Sequence, residues 1–147
     1  IKEKEIIDQI CKIAEESFTN SRFYQDKFIP NEVASKIKKS WINNYFLGLR
    51  GDDLIIATNR SNKVIGFMSL LKGNSNSIII DLIAVSKNER GKGIGKEMLN
   101  FLVISKKYKY IDFILVGTQL KNIQSINFYE RSNFLIQKCN YVFHLHW

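Results

Sequence analysis

The chain has 147 residues, 45% hydrophobic and 12% aromatic, which gives one domain with a sizeable core and excludes both a disordered chain and two ordinary domains. Lys and Arg number 22 against 14 Asp and Glu, so the net charge of +8 suggests a polyanionic partner: nucleic acid, a membrane surface or a phosphorylated small molecule. Two cysteines, Cys11 and Cys139, are too few and too far apart for a disulfide framework or a zinc site, and each is expected to be a buried free thiol.

No apolar run approaches the roughly 18 residues of a membrane helix and no signal peptide is evident, so a cytoplasmic protein is expected. Because the sequence opens on Ile rather than Met, the natural chain is expected to extend further at its N-terminus.

Residues 2–18 place Ile6, Ile10, Ile13, Ala14 and Phe18 at helical spacing with charges between them. The stretch TNSRFYQDKFIP breaks that period, and Pro30 suits the first turn of a second helix running to about Phe46, ended by GLRGDD. The period then changes: LIIAT, VIGFMSLL and SIIIDLIAV, separated by the turns NRSNK and KGNSN, predict three antiparallel strands in a meander. A glycine-rich loop follows, and IGKEMLNFLVISKKY after it predicts an amphipathic helix with Met98, Leu99, Leu102 and Val103 on its apolar side. YIDFILVGT predicts a buried, central strand, NIQSINFYERS a short helix and FLIQKCNYVFHLHW a closing strand. The order is that of an α+β fold, a mixed sheet with a strand–loop–helix–strand crossover at its middle.

The loop, ERGKGIGKEM, lies between a strand and a helix, so its backbone N–H groups gather at a positive helix terminus suited to phosphate oxygens. Arg90, Lys92 and Lys96 add charge around it. A P-loop would need Gly where Arg90 stands and Ser or Thr where Glu97 stands, and a dinucleotide fingerprint would need its third Gly at Lys96. Both are excluded, which leaves Arg-Gly-x-Gly-x-Gly.

This loop, with DLIAV before it and KEML after it, resembles the pyrophosphate loop of the GCN5-related N-acetyltransferase (GNAT) superfamily. A second stretch, NIQSINFYERSNF at 122–134, resembles that family's Asn…Tyr-x-x-x-Gly-Phe region, with Asn133 standing where Gly is usual. The resemblance spans nearly the whole chain and implies a mixed, mostly antiparallel sheet with helices on both faces, one acetyltransferase domain over residues 1–147. The family's first strand is not seen before residue 2.

The implied co-substrate is acetyl-coenzyme A. By the resemblance, its pyrophosphate would lie on the amides of Arg90, Gly91, Lys92, Gly93, Ile94 and Gly95 with Lys96 nearby. Its pantetheine would pair with the backbone of Ile83, Ala84 and Val85, and Asn122 and Asn127 would meet the pantetheine or the diphosphate. Tyr129 would point at the thioester sulfur.

Acetyl transfer to an amine needs a neutral, positioned amine, an oxyanion donor and a hydrogen bond to the departing thiolate. A backbone N–H near Ile83 or Ala84 is the candidate oxyanion donor if that strand splays from the next. With Tyr near pKa ~10 and a thiol near ~8.5, full proton transfer to sulfur is uphill by roughly 2 kcal/mol, so Tyr129 is read as a hydrogen-bond donor. Asp81, on one strand face with Ile83 and Val85, could serve as general base through water or be a meander-edge charge. His144 and His146 alternate like half of a metal site, but no third ligand is evident and no metal is expected.

In this family the first two helices and their connection set the acceptor. Here SRFYQDKFIP and KSWINNYFLG offer Arg22 and Phe23, with Trp41 not far away, a combination suited to a phosphate and a stacking ring. This stretch, with Thr118-Gln119 before the late Asn helix, is similar to that of bacterial acetyltransferases of the TDP-fucosamine type. That similarity implies a dTDP-linked amino-deoxy sugar as acceptor, in cell-surface polysaccharide biosynthesis, with Arg22, Phe23, Trp41 and Gln119 at the acceptor. Acetylation of a protein N-terminus or lysine stays open, as does a non-catalytic acetyl-CoA-binding module. No membrane partner is expected, and no nucleic acid, since the lysines are scattered rather than striped on one helix; a homodimer is left open.

Overall fold

The computed structural model describes residues 3–19, 21–143 and 145. Helix α1 (Glu3–Ser17) buries Ile10, Cys11, Ile13 and Ala14, the stripe its periodicity predicts. A single turn, α2 (Arg22–Gln25), precedes α3 (Asn31–Phe46), for which Pro30 is the residue just before the first turn. The meander follows as β1 (Asp53–Thr58), β2 (Val64–Lys72) and β3 (Ser77–Val85). Helix α4 (Ile94–Ile104) crosses over to β4 (Phe113–Val116), and α5 (Ile123–Glu130) comes last. The sheet order is β1-β2-β3-β4, antiparallel except for the parallel β3–β4 pair.

The sheet has a core on each face. Met68, Leu70, Ile78 and Ile80 pack with Ile94, Met98, Leu99 and Leu102 of α4 and with Tyr129 of α5. On the other face Phe67, Leu82 and Ala84 pack with the buried stripe of α1 and with Ile42 of α3.

Strand β3 contributes even-numbered residues to both cores, which an unbroken period of two forbids. The explanation is a β-bulge. Ser69 pairs with Leu82 and Leu70 with Ile80, so Asp81 has no partner on β2 and the alternation switches faces there. The Leu82 N–H donates to the Ser69 side chain at 3.1 Å, and the Ser69 hydroxyl donates back to the Leu82 carbonyl at 3.4 Å. A fully buried Ser at this point supplies hydrogen bonds that the irregular ladder lacks.

Three expectations are corrected. The strand YIDFILVGT is not central: β4 has four residues at the edge of the sheet, with Phe113 58% and Leu115 36% exposed. Its apolar run reports a tendency to burial, but its pairing stops at Ile80–Val116, where β3 bulges. The closing strand is absent from 135–143, since strand propensity holds only a paired strand and this segment makes no pairing. His144 and His146 lie outside the described residues. Cys11 is buried as expected, whereas Cys139, on the unpaired segment, is exposed. Among the described residues no helix is long and apolar enough to cross a membrane.

Replacing Ser69 by Ala should lower stability by about 1–3 kcal/mol in urea unfolding, because the buried Leu82 N–H would lose its acceptor. An unchanged midpoint would mean that Ser69 does not hold the bulge.

Candidate active site

The ladder between β3 and β4 ends at Ile80–Val116, while β3 runs on to Val85. One edge of residues 81–85 therefore has no strand beside it among the described residues. The Ser86 N–H donates to the Ile65 carbonyl, which fixes the parity: the polar groups of Ala84 face β2, and those of Ile83 and Val85 face the opening. Of the two amides expected as oxyanion donors, Ile83 is thus the one that points outward. The Ala84 N–H belongs to the ladder.

The glycine loop closes the C-terminal end of this opening. Gly91 and Gly93 have φ of 78° and 83°, in the left-handed region, and a Cβ at either would meet nothing within 4 Å, so conformation rather than space demands glycine. Gly95 differs: a Cβ there would lie 3.2 Å from the Phe128 ring of α5. Gly93 is the cap of α4 and offers no side-chain acceptor, so the first amides of the helix remain available to a ligand. The Lys92 ammonium pairs with Glu89 at 2.9 Å. The Arg90 side chain turns back, donating to the Val85 carbonyl at 3.0 Å and to the Ser17 hydroxyl at 3.2 Å. Its backbone, not its guanidinium, is what it presents to the loop.

Tyr129 is 7% exposed, packed against Phe128 and Phe134 with ring centroids 5.1 and 5.3 Å away. It shares its core cluster with Ile80, Ile83 and Val116, which border the opening. Burial pushes its hydroxyl well above the usual phenol range, so it stays protonated at neutral pH. Asn133 adopts φ 64°, and the Phe134 N–H reaches back to the Tyr129 carbonyl, so Asn fills the left-handed helix end where Gly is usual. Asn122 caps α5 by accepting from the Ser125 N–H at 3.2 Å, and Asn127 is exposed on the same helix.

On the opposite face the bulged Asp81 is the hub. Its carboxylate accepts from Trp41 Nε1 at 2.9 Å, Tyr45 Oη at 2.8 Å, and Arg50 Nε and a terminal nitrogen, both at 2.8 Å. Burial alone would raise its pKa, but the hydrogen bonds from Arg50 and Tyr45, the Arg50 charge and the Trp41 bond outweigh it and hold the group below the usual carboxylate range. A carboxylate so saturated is a poor proton acceptor. Of the two readings left open for Asp81, a fixed charge suits this geometry better than a base acting through water.

The predicted acceptor residues fall in one neighbourhood. Arg22 lies over the Phe23 ring at 5.0 Å, and Gln119 accepts from Gln25 of α2 at 3.1 Å, joining α2 to the segment after β4. Trp41 is already engaged: Lys38 Nζ is 3.6 Å and the Arg50 guanidinium carbon 4.3 Å from its ring centroid. It forms a rigid wall.

Sequence reasoning missed Lys38, Tyr45, Arg50 and Gln25. Lys38 carried a signal, since it sits at helical spacing between Ala34 and Ile42, both fully buried, where an apolar residue belongs. Its amine lies among Phe18, Phe23 and Trp41, and burial, opposed by Asp81 and reinforced by Arg22 and Arg50, lowers its pKa to about 8.

With this geometry in place, comparison with known proteins is decisive. Residues 7–134 match the acetyltransferase (GNAT) family, and the chain belongs to that family, whose co-substrate is acetyl-coenzyme A. It is 30% identical over 138 residues to the spore coat polysaccharide biosynthesis protein SpsD of Bacillus subtilis (strain 168), covering 94% of this chain and 47% of SpsD. The chain thus spans about half the length of that relative. Among solved structures, an acetyl transferase of Pyrococcus furiosus superposes with a TM-score of 0.71 at 20% identity, over 97% of this chain and 95% of its own. A GNAT acetyltransferase of Elizabethkingia anophelis with acetyl-CoA bound gives a TM-score of 0.59 at 24% identity, over 68% and 63% of the two chains. A streptothricin acetyltransferase of Bacillus anthracis, also in complex with acetyl coenzyme A, is 32% identical over 58% of this chain and 48% of its own, with a TM-score of 0.54.

Two outcomes are expected. Gly93→Val should weaken acetyl-CoA binding at least about tenfold in calorimetry, because a β-branched residue strains the left-handed cap that aims the amides. Lys38 has a folded pKa near 8, below its unfolded value of about 10.4, so its burial opposes folding at neutral pH and is relieved as pH rises through that window. Lys38→Met should therefore gain about 1–3 kcal/mol at pH 7 and remove the rise in stability between pH 8 and 10, read by denaturant titration across pH.

Proposed function

We propose that this chain moves the acetyl group of acetyl-CoA to the amine of a nucleotide-linked amino sugar, of the dTDP-amino-deoxy type, by direct attack in a ternary complex. The observation that carries this reading is the unpaired edge of β3, flanked by the glycine loop at one end and the Asp81 bulge at the other. A pantetheine arm can add to that edge as an extra strand through Ile83 and Val85, with its diphosphate on the amides from Arg90 to Gly95. The Ile83 N–H is then the donor to the carbonyl oxygen as it gains charge. As the C–N bond forms and the C–S bond breaks, Tyr129 donates a hydrogen bond to the departing sulfur and the amine's proton leaves to water.

The acceptor assignment is supported by Arg22, Lys38 and Arg50 on the acceptor side, and by the SpsD relative, whose name ties it to a coat polysaccharide. A peptide amine is the second candidate, but it would be better served by acidic residues along the groove than by this basic wall. The reaction is placed in the cytoplasm, where nucleotide sugars and acetyl-CoA meet.

The test is release of free thiol from acetyl-CoA with a panel of nucleotide-linked amino sugars and N-terminal peptides. Turnover with sugars and not peptides is expected; turnover with peptides alone would refute the sugar assignment. Tyr129→Phe should lower kcat about 10- to 100-fold with little change in the KM for acetyl-CoA, and full activity in that variant would remove its role at sulfur.

A further inference from the structure

On the flank of α3 a hollow of about 540 Å³ opens beside the Asp81 hub. Its wall is apolar along Val33, Ile37 and Trp41, and its cations are Lys36 and Arg50, with Ser40 and Asn44 as further polar groups. The hollow is open to solvent rather than enclosed, and it combines an apolar wall with a few polar groups as ligand sites do.

Charge decides what kind of molecule fits. Arg50 spends Nε and one terminal nitrogen on Asp81, leaving its other terminal nitrogen uncommitted to that carboxylate. Lys38 lies against the Trp41 indole at 3.6 Å, Arg22 is close enough for its charge to act on Lys38, and the Asp81 carboxylate is already shared among four hydrogen bonds. The neighbourhood carries an excess of positive charge beside an apolar surface. A ligand with an anionic group and a flat ring satisfies both; a neutral sugar or a cationic peptide satisfies neither.

We infer that this hollow on α3 is a subsite for the nucleoside diphosphate half of the acceptor, with Lys36 and Arg50 on the phosphates and the base against Val33 and Ile37. This deepens, and rests on, the sugar-nucleotide reading above. Trp41 and Arg50 belong both to the hollow and to the Asp81 hub, and Asp81 sits at the mouth of the β3 opening. A diphosphate held here would therefore leave its sugar directed along the Trp41–Asp81 line toward the Ile83 amide.

The experiment is calorimetric titration of the whole chain, with no amino sugar present, using thymidine diphosphate and, separately, inorganic pyrophosphate. Thymidine diphosphate should bind more tightly than pyrophosphate, and Lys36→Glu, an exposed position, should weaken it about tenfold or more. Ile37→Glu should do the same, while both variants keep the wild-type affinity for acetyl-CoA. If neither substitution alters thymidine diphosphate binding, or if no binding occurs, the subsite is wrong. Pyrophosphate binding as tightly as thymidine diphosphate would overturn the base contact and with it the nucleoside assignment. Turnover of an amino-sugar nucleotide by Lys36→Glu with unchanged KM would refute the subsite and leave the acetyltransferase reading standing. Loss of acetyl-CoA binding by the wild type would refute that reading instead.

Discussion

The rest of the structure depends on one extra residue in β3. Asp81 has no partner on β2, so the strand changes which face each side chain serves. Before the bulge Ile78 and Ile80 feed the core under α4 and α5; after it Leu82 and Ala84 feed the core under α1 and α3. The ladder to β4 ends at the same place. A single irregularity thus sends hydrophobic residues to both cores, leaves one edge of β3 open and aims a carboxylate at Trp41 and Tyr45 of α3 and at Arg50. Bulges increase local twist, and a parallel neighbour cannot follow such a twist for long. The opening is a consequence of sheet geometry rather than of a flexible loop.

Around that carboxylate the chain accepts an energetic cost. Lys38 occupies a buried position on α3 where Ala34 and Ile42 set an apolar stripe. Cation–π contact with Trp41 offsets part of the desolvation. The Arg50–Asp81 pair is better satisfied, since all four bonds to Asp81 fall between 2.8 and 2.9 Å. Buried charge of this kind contributes little net stability, but it restricts the number of ways Trp41, Tyr45 and Arg50 can pack. The cluster around Asp81 is accordingly preorganised.

The sequence made the elements legible wherever a period could be counted. Helices α1, α3, α4 and α5 and the meander follow from residues at 3.6 or 2 spacing and from Asn, Ser and Gly turns. The glycine loop was legible because glycine at left-handed positions leaves a mark in the text. What could not be counted was the bulge, since SIIIDLIAV is apolar on both sides and shows no break in alternation. The partners of Asp81 were hidden for that reason: the face it serves depends on a register shift. Arg50 and Tyr45 were invisible because their function is defined only by contact with a residue some thirty positions away. The last strand failed for the opposite reason, a strong local pattern with no edge to receive it.

The contact between Gly95 and Phe128 has a mechanical consequence. Gly95 stands one residue into α4, at the end of the glycine loop, and Phe128 precedes Tyr129 on α5. With only 3.2 Å available for a side chain, the two helices meet almost backbone to ring. On the proposed reading, in which the loop meets one end of a long, flexible molecule and Tyr129 the other, the two points are joined like the jaws of a calliper whose gap is set by one absent methyl group. Such an instrument would measure its ligand by length, and a shorter or longer thioester arm would be held at one end and missed at the other.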